Sequence, residues 1–279
     1  MGGSGVPGPE KAWVLWLEGG GCDGCTMSVL GATSPRLEEL LGGGLTRVQI
    51  ELVHPALALD AGDAFVEVLD RARLGHLEPF VLVLEGSLFD ETAAGEGSFS
   101  SLGQRDGEPV SIPQWVSELA PRAAAVMAIG TCATSGGIPA AAGSVTGAMA
   151  VSAFLPAGFT SQAGLPVVNV PGCAPSGDAF VEALSYVLLH LDGLVPLDLD
   201  ELGRPRWLYA QSTPVTGGAA QDGDAQGDGT ILLTADCPVP SRGWINHLGG
   251  CAAVGGTCNG CTRPDFPDFT IGLRRPTTT

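Results

Sequence analysis

The chain has 279 residues, a hydrophobic content of 44% and a formal net charge of −17. That length supports one large domain, or a large one with a small companion. The charge argues against nucleic acid, whose phosphates it repels, and no apolar run is long enough to span a membrane.

Residues 1–11 are rich in glycine and proline and read as a flexible N-terminal stretch. They hold neither an apolar signal core nor an arginine pair, the first arginine being Arg36. The cytoplasm is therefore the expected compartment. Trp13 to Leu17 is an apolar run of strand length that opens into Glu18-Gly19-Gly20-Gly21 and then Cys22-Asp23-Gly24-Cys25-Thr26. This pattern predicts a buried strand delivering a ligand loop. Ser28 to Leu41 reads as a helix with Leu30, Leu37, Leu40 and Leu41 on one side, with two short helices broken at Pro35 as the alternative. Arg47 to Val53 predicts a strand, and Asp60 to Leu74 an amphipathic helix with Phe65, Val68 and Leu69 inward.

Pro79 to Leu84 is a continuous apolar run ending at Glu85-Gly86-Ser87. A glycine-rich loop is expected from about Glu91 to Pro109, then a short helix from Ile112 to Leu119. Ala123 to Ile129 is another buried run, ending at Gly130-Thr131-Cys132. Gly143 to Leu155 has no clear periodicity. Pro166 to Val170 ends at Pro171-Gly172-Cys173, and Ser176 caps a helix running to Leu191. Strand, loop and helix thus recur, and continuous apolar strands point to an α/β fold with a parallel sheet covered on both faces. Sites in such sheets lie beyond the carboxyl ends of the strands. Cys22, Glu85, Cys132 and Cys173 each follow a predicted strand, so four distant positions converge on one sheet edge.

Past Pro196 the character changes. Leu197 to Thr230 is loop-like and includes the acidic, low-complexity Gly217–Gly229. From Ile231 onward there is little periodicity but four cysteines, which predicts a small domain stapled by metal. The boundary is expected near 194–200, giving one domain over 12–195 and a second over 196–279.

The eight cysteines lie at 22, 25, 132, 173, 237, 251, 258 and 261. In the expected compartment they read as ligands or catalytic thiols rather than disulfides. Cys22, Cys25, Cys132 and Cys173 would hold a [4Fe–4S] cluster at the sheet edge. Structural zinc is the rival, although zinc usually takes two close C-x-x-C knuckles, and a redox pair at Cys22/Cys25 would leave the other two thiols unexplained. Cys237, Cys251, Cys258 and Cys261 form a second set. Three of them suffice for a [3Fe–4S] cluster and four for [4Fe–4S], while a zinc ribbon stays open by spacing alone. Asp222, Asp224 and Asp228 resemble a calcium loop but lack its closing glutamate, since Leu233 stands there. His54, His76, His190 and His247 read as packing or capping residues.

These motifs together resemble the small, electron-transferring subunit of a [NiFe] hydrogenase over roughly residues 12–272. They are the strand into Cys22-x-x-Cys25-Thr26, Phe80–Gly86, Gly130-Thr131-Cys132-Ala133, Asn169-Val170-Pro171-Gly172-Cys173, Gly203-Arg204-Pro205 and Cys237-Pro238, with Cys258-x-Gly260-Cys261-x-x-Pro264-x-Phe266. The resemblance implies a flavodoxin-like doubly wound domain followed by a small irregular cluster-binding one. It implies a proximal cluster on Cys22, Cys25, Cys132 and Cys173, and a medial one on Cys237, Cys258 and Cys261, to which we add Cys251. It also implies a Ni–Fe centre in a separate large subunit.

Three departures from the family pattern matter. Leu208 to Thr234 holds no His and no Cys, which predicts that the family's distal cluster is absent. Cys251 stands where many relatives carry proline, which predicts a four-cysteine [4Fe–4S] medial cluster. Gly24 and Gly137 stand where oxygen-tolerant relatives add two cysteines, which argues against a six-cysteine proximal cluster. The expected function is an electron relay between the partner's Ni–Fe site and an acceptor protein or quinone near the medial cluster, with H2 oxidation favoured. A hydrogen-sensing complex and a cluster subunit of the respiratory complex I type are the alternatives. The sequence leaves open whether two heterodimers associate.

Overall fold

A computed structural model describes residues 11–46, 48–55, 62–209, 237–244, 246, 248–251 and 259–267. Its frame is a five-stranded sheet made of β1 (Lys11–Glu18), β2 (Gln49–Val53), β3 (Phe80–Glu85), β6 (Ala125–Ile129) and β7 (Val168–Val170). The order is β2-β1-β3-β6-β7 and every pairing is parallel. Counting sheet strands alone this is 2-1-3-4-5, the flavodoxin-like doubly wound order. The predicted α/β architecture is therefore present.

Each strand feeds two cores because successive side chains point to opposite faces. On one face Val14, Trp16, Val81, Val83, Met127 and Ile129 pack with Phe180, Leu184 and Val187 of helix α7 (Gly177–Leu191). On the other, Leu15, Leu17, Leu82, Leu84 and Val126 meet Phe65 and Leu69 of α3 (Asp63–Arg73) and Trp115 and Val116 of α4 (Ile112–Leu119). All six residues of β3 are buried. Burial of this kind contributes roughly 1.5–3 kcal/mol per large aliphatic side chain and dominates the stability of the sheet.

Three expectations are corrected. The Ser28–Leu41 helix is two helices, α1 (Gly24–Leu30) and α2 (Leu37–Leu41). The break falls at Pro35, as its missing N–H requires, but α1 begins four residues earlier than expected, inside the ligand loop. The 91–109 loop contains a hairpin, β4 (Ser101–Arg105) with β5 (Glu108–Ser111). Its turn is Asp106-Gly107, both at positive φ, a pair that favours two-residue hairpins. Only Val110 of its nine residues is buried, so apolar alternation gave no signal. Cys132 lies on a short helix, α5 (Gly130–Ser135), rather than in a loop. The unassigned 143–155 stretch contributes a single helical turn, α6 (Val151–Phe154).

The chain beyond residue 195 does not leave the first core at once. Leu197 and Leu199 pack against it, and Leu208 and Tyr209 of α8 (Arg206–Tyr209) are buried in it. The Gly203-Arg204-Pro205 segment docks on the edge of β7, where Asn169 donates Nδ2–H to the Leu202 carbonyl at 2.7 Å and its N–H to Gly203 at 2.8 Å. Among the described residues no helix is long and apolar enough to cross a membrane.

Candidate metal centres at the carboxyl edge of the sheet

The loop after β1 is held by backbone contact with the loop after β3. Gly19 N–H donates to the Glu85 carbonyl at 2.8 Å, and Gly20 and Ser87 exchange N–H···O bonds of 2.8 and 3.0 Å. Gly86 has φ +81° and lies so close that a Cβ there would sit 2.8 Å from the carbonyl carbon of Gly20. Only glycine fits this crossing. It fixes where Cys22 and Cys25 emerge.

Glu85 then organises the start of α1. Its carboxylate accepts the Cys25 N–H at 3.0 Å and the Thr26 N–H at 3.1 Å, two amides of the first helical turn that have no partner within the helix. It also accepts the Thr26 hydroxyl at 2.5 Å and the Trp16 indole N–H at 3.3 Å. Negative charge at a helix N-terminus is stabilised by the helix dipole. Glu85 thus serves as a cap supplied from a neighbouring strand. His54, fully buried, faces the Thr26 hydroxyl through Nε2 at 3.0 Å and packs on the Trp16 ring, in keeping with its reading as a packing residue. Burial lowers its pKa to about 4, although Asp23 pulls the other way. Glu18 beside it is raised to about 7 by burial, then by Asp23 and Glu85. Ligand atoms of Glu18, His54 and Glu85 lie within 4.8 Å of one another. Four donor groups already occupy the Glu85 oxygens, so this trio is a hydrogen-bonded knot and not a cation site.

Cys22, Cys25, Cys132 and Cys173 converge beside that knot. The Cys25 thiol is pushed far up by burial first, then by Glu85, Cys132, Cys22 and Cys173. Cys132 is pushed up to about 11 by burial, Cys173 and Cys22. Cys173 is raised by burial and Cys22. Cys25, Cys132 and Cys173 are thus each raised by burial and by at least one neighbouring thiol. Crowded thiols that resist losing their protons need a bound cationic centre to become thiolates, so the donor set fits an iron–sulfur cluster or a metal ion. The space around them is shaped to match: a Cβ on Gly130 would meet Cys25 Sγ at 2.4 Å, and one on Gly137 would meet Cys132 Sγ at 2.9 Å. Gly24 likewise faces Cys22 Sγ, at 3.2 Å from its would-be Cβ. Gly24 and Gly137, the two positions singled out in the sequence, therefore both abut this thiol set.

The second set is described in part. Cys237 and Cys261 both bear electrostatically on the buried Tyr209 phenol, which burial and these thiols push up. Cys251 is exposed. Its neighbour Gly250 lies against Val239 of α9 (Val239–Arg242), the helix that follows Cys237. Cys258 lies outside the described residues, as does most of the 208–234 segment in which no distal ligand occurs. Cys22, Cys25, Cys132, Cys173 and Cys251 carry free thiols. The C-terminal stretch is docked on the first core by Arg242 with Glu182, by Ser176 with the Trp244 carbonyl at 3.4 Å, and by the Thr131 hydroxyl with the Cys261 carbonyl.

Sequence reasoning missed the roles of Thr26, Thr131 and Tyr209. Thr26 and Thr131 adjoin predicted ligands, which was a usable signal. Tyr209 stands alone in a loop-like stretch and gave none.

The chain is similar to known proteins over most of its length. The family model for the NADH ubiquinone oxidoreductase 20 Kd subunit matches residues 22–187, ending before the second cysteine set. The periplasmic [NiFeSe] hydrogenase small subunit of Desulfomicrobium baculatum is 31% identical over 288 residues, covering 94% of this chain and 86% of its own. Among solved structures, the actinobacterial-type NiFe-hydrogenase from Ralstonia eutropha H16 superposes with a TM-score of 0.85 at 38% identity, over 96% of this chain and 83% of its own. The recombinant [NiFeSe] hydrogenase from Desulfovibrio vulgaris Hildenborough gives 0.74 at 31%, over 97% and 98%. Over residues 22–187 the chain belongs to the NADH ubiquinone oxidoreductase 20 Kd subunit family, and over nearly its whole length it belongs to the small subunits of nickel–iron hydrogenases.

Proposed function

We propose that this small subunit relays electrons between the Ni–Fe site of a large-subunit partner and an external acceptor, through two cluster sites in series. The observation that carries the reading is the gathering of Cys22, Cys25, Cys132 and Cys173 at the carboxyl edge of the sheet, where burial and neighbouring thiols raise Cys25, Cys132 and Cys173. Cys22, Cys25, Cys132 and Cys173 would hold the proximal [4Fe–4S] cluster. Cys237, Cys251, Cys258 and Cys261 would hold a medial [4Fe–4S] cluster. Bound there, clusters supply one-electron redox stations whose potentials follow burial and hydrogen bonding. The chain's own residues do the rest. Glu85 fixes the Cys25 amide, the Gly19–Gly20 crossing fixes the loop, and the flanking glycines keep room beside the sulfurs.

The large subunit would dock over the first site. Met27 and Leu30 of α1 are exposed there, at 65% and 49%, an unusual placement for large apolar side chains beside a polar site. No ligand for a third station occurs in 208–234, so the acceptor, a protein or a quinone, would approach the medial site. We propose H2 oxidation as the working direction and 12–195 and 196–279 as the two domains, with 197–209, at the start of the second, packed on the first core. The cytoplasm is the proposed compartment, although the Desulfomicrobium relative is named periplasmic; fractionation of the source cells decides it.

Single-ligand variants of the anaerobically purified heterodimer test the assignment. Cys132→Ser is expected to remove the proximal EPR signal and spare the medial one, and Cys261→Ser to do the reverse. Cys251→Ser is expected to convert the medial signal to [3Fe–4S] type. An unchanged [4Fe–4S] signal in that variant would remove Cys251 from the ligand set.

A further inference from the structure

The two cysteine sets are joined by a contact that neither set requires for its own geometry. Thr131 is 2% exposed and immediately precedes Cys132. Its hydroxyl donates to the backbone carbonyl of Cys261, and it accepts the Gly172 N–H at 3.2 Å. Its own N–H donates to the Gly172 carbonyl at 2.9 Å, so Thr131 and Gly172 are clamped by two bonds. Gly172 in turn precedes Cys173. One hydroxyl therefore touches the backbone of the loops carrying Cys132 and Cys173 and the carbonyl of Cys261 itself. From Cys132 to Cys261 the path is covalent except for a single hydrogen bond. A second link runs nearby. Tyr209, 1% exposed, donates O–H to the Pro171 carbonyl at 2.9 Å and sits within electrostatic reach of Cys237 and Cys261. This link contacts Pro171, two residues before Cys173.

Resting on the functional reading above, we infer that Thr131 is the positioning residue that couples the first site to the second: its hydroxyl is the bridge by which an electron passes between them. The transfer moves one electron from the first station to the second, which is thereby reduced, and no bond is made or broken. A hydroxyl suits the task because it donates and accepts at once. A methyl in its place would take the acceptor away from the buried Gly172 N–H, and would open a through-space gap in the path. Tyr209 bonds to Pro171, which is not itself a ligand residue.

The test uses the intact heterodimer with four variants: Thr131→Val, Thr131→Ala, Thr131→Ser and Tyr209→Phe. Iron and sulfide content and the EPR signal of each site are measured first, then the rate at which the second site is reduced after mixing with H2, by freeze-quench EPR. Amide hydrogen exchange over residues 259–267 reports the closure of the seam. Thr131→Val and Thr131→Ala are expected to keep both signals, to slow reduction of the second site several-fold, and to speed exchange in 259–267 about tenfold, the effect of one lost buried hydrogen bond. Thr131→Ser is expected to restore both rates. Tyr209→Phe is expected to speed exchange while leaving the reduction rate at the wild-type value. Wild-type reduction kinetics in Thr131→Val or Thr131→Ala would overturn the inference. So would loss of the clusters from both variants, which would make the hydroxyl structural alone. Absence of iron and sulfide from the wild-type heterodimer would instead overturn the functional reading beneath it.

Discussion

At the scale of single residues, the first site is bordered by a carboxylate and an imidazole whose protonation is set by burial. His54 is held neutral in the native protein because burial lowers its pKa to about 4, against an ordinary value of 6.5. The unfolded chain takes up a proton between pH 6.5 and 4 that the native state refuses. The stabilising contribution of His54 is therefore fully present above pH 6.5 and is lost as the pH falls toward 4. Glu18 works oppositely. Raised from 4.5 to about 7, it keeps a proton that the unfolded chain releases, so its contribution is full below 4.5 and lost as the pH rises toward 7. Asp23 opposes the shift of His54 and, with Glu85, adds to that of Glu18. Thermal melting of wild type and His54→Gln across pH 4.5–7.5 separates the two. The wild type is expected to be the more stable at pH 7.5, with the gap narrowing as the pH falls; a gap that widens on acidification would contradict the assignment. These residues were legible only in part. Glu85 was visible as the residue ending a strand, yet its partners, Trp16, Cys25 and Thr26, are some 60 positions away or more in sequence, and no local pattern connects them.

At the scale of elements, strands were the most legible features because continuous apolar runs can hardly be anything else in a chain with this spacing. Helices α3, α4 and α7 followed from their periodic apolar faces. What escaped were elements made by contacts instead of pattern: α5, built from Gly130-Thr131-Cys132-Ala133-Thr134-Ser135, and the β4–β5 hairpin. The hairpin is braced by Arg105, whose guanidinium meets both Glu118 oxygens at 2.9 and 3.0 Å and stacks 4.8 Å from the Trp115 ring. The crossing of the loops after β1 and β3 yields the clearest test at this scale. Gly86→Ala would place a Cβ against the Gly20 backbone at φ +81°, where no flexible side chain can yield. A destabilisation of about 1–3 kcal/mol is expected from the strained backbone, together with displaced Cys22 and Cys25 and reduced proximal cluster loading. Gly95→Ala is the control: its φ is +70° but nothing lies within 4 Å of the added methyl. Melting temperature and iron content measured on both variants check the difference, and equal loading in the two would show that the crossing does not position the ligands.

At the scale of the whole molecule, one sheet edge gathers four thiols, and a C-terminal segment brings more of them to its side. The fold and the first thiol set were legible because parallel strands deliver their carboxyl ends to one place, so Cys22, Cys132 and Cys173 announce their meeting by position alone. The seam between the sites was not legible, since the Thr131–Cys261 bond joins residues 130 positions apart. The central claim is that this chain carries two cluster sites and no third. It is tested most directly by quantifying iron, sulfide, nickel and zinc in the anaerobically purified heterodimer, with EPR of the reduced sample. The account predicts about eight iron and eight sulfide from this chain, in two [4Fe–4S] signals, with one nickel and one further iron from the partner. Stoichiometric zinc without sulfide, or a third cluster's worth of iron, would contradict it.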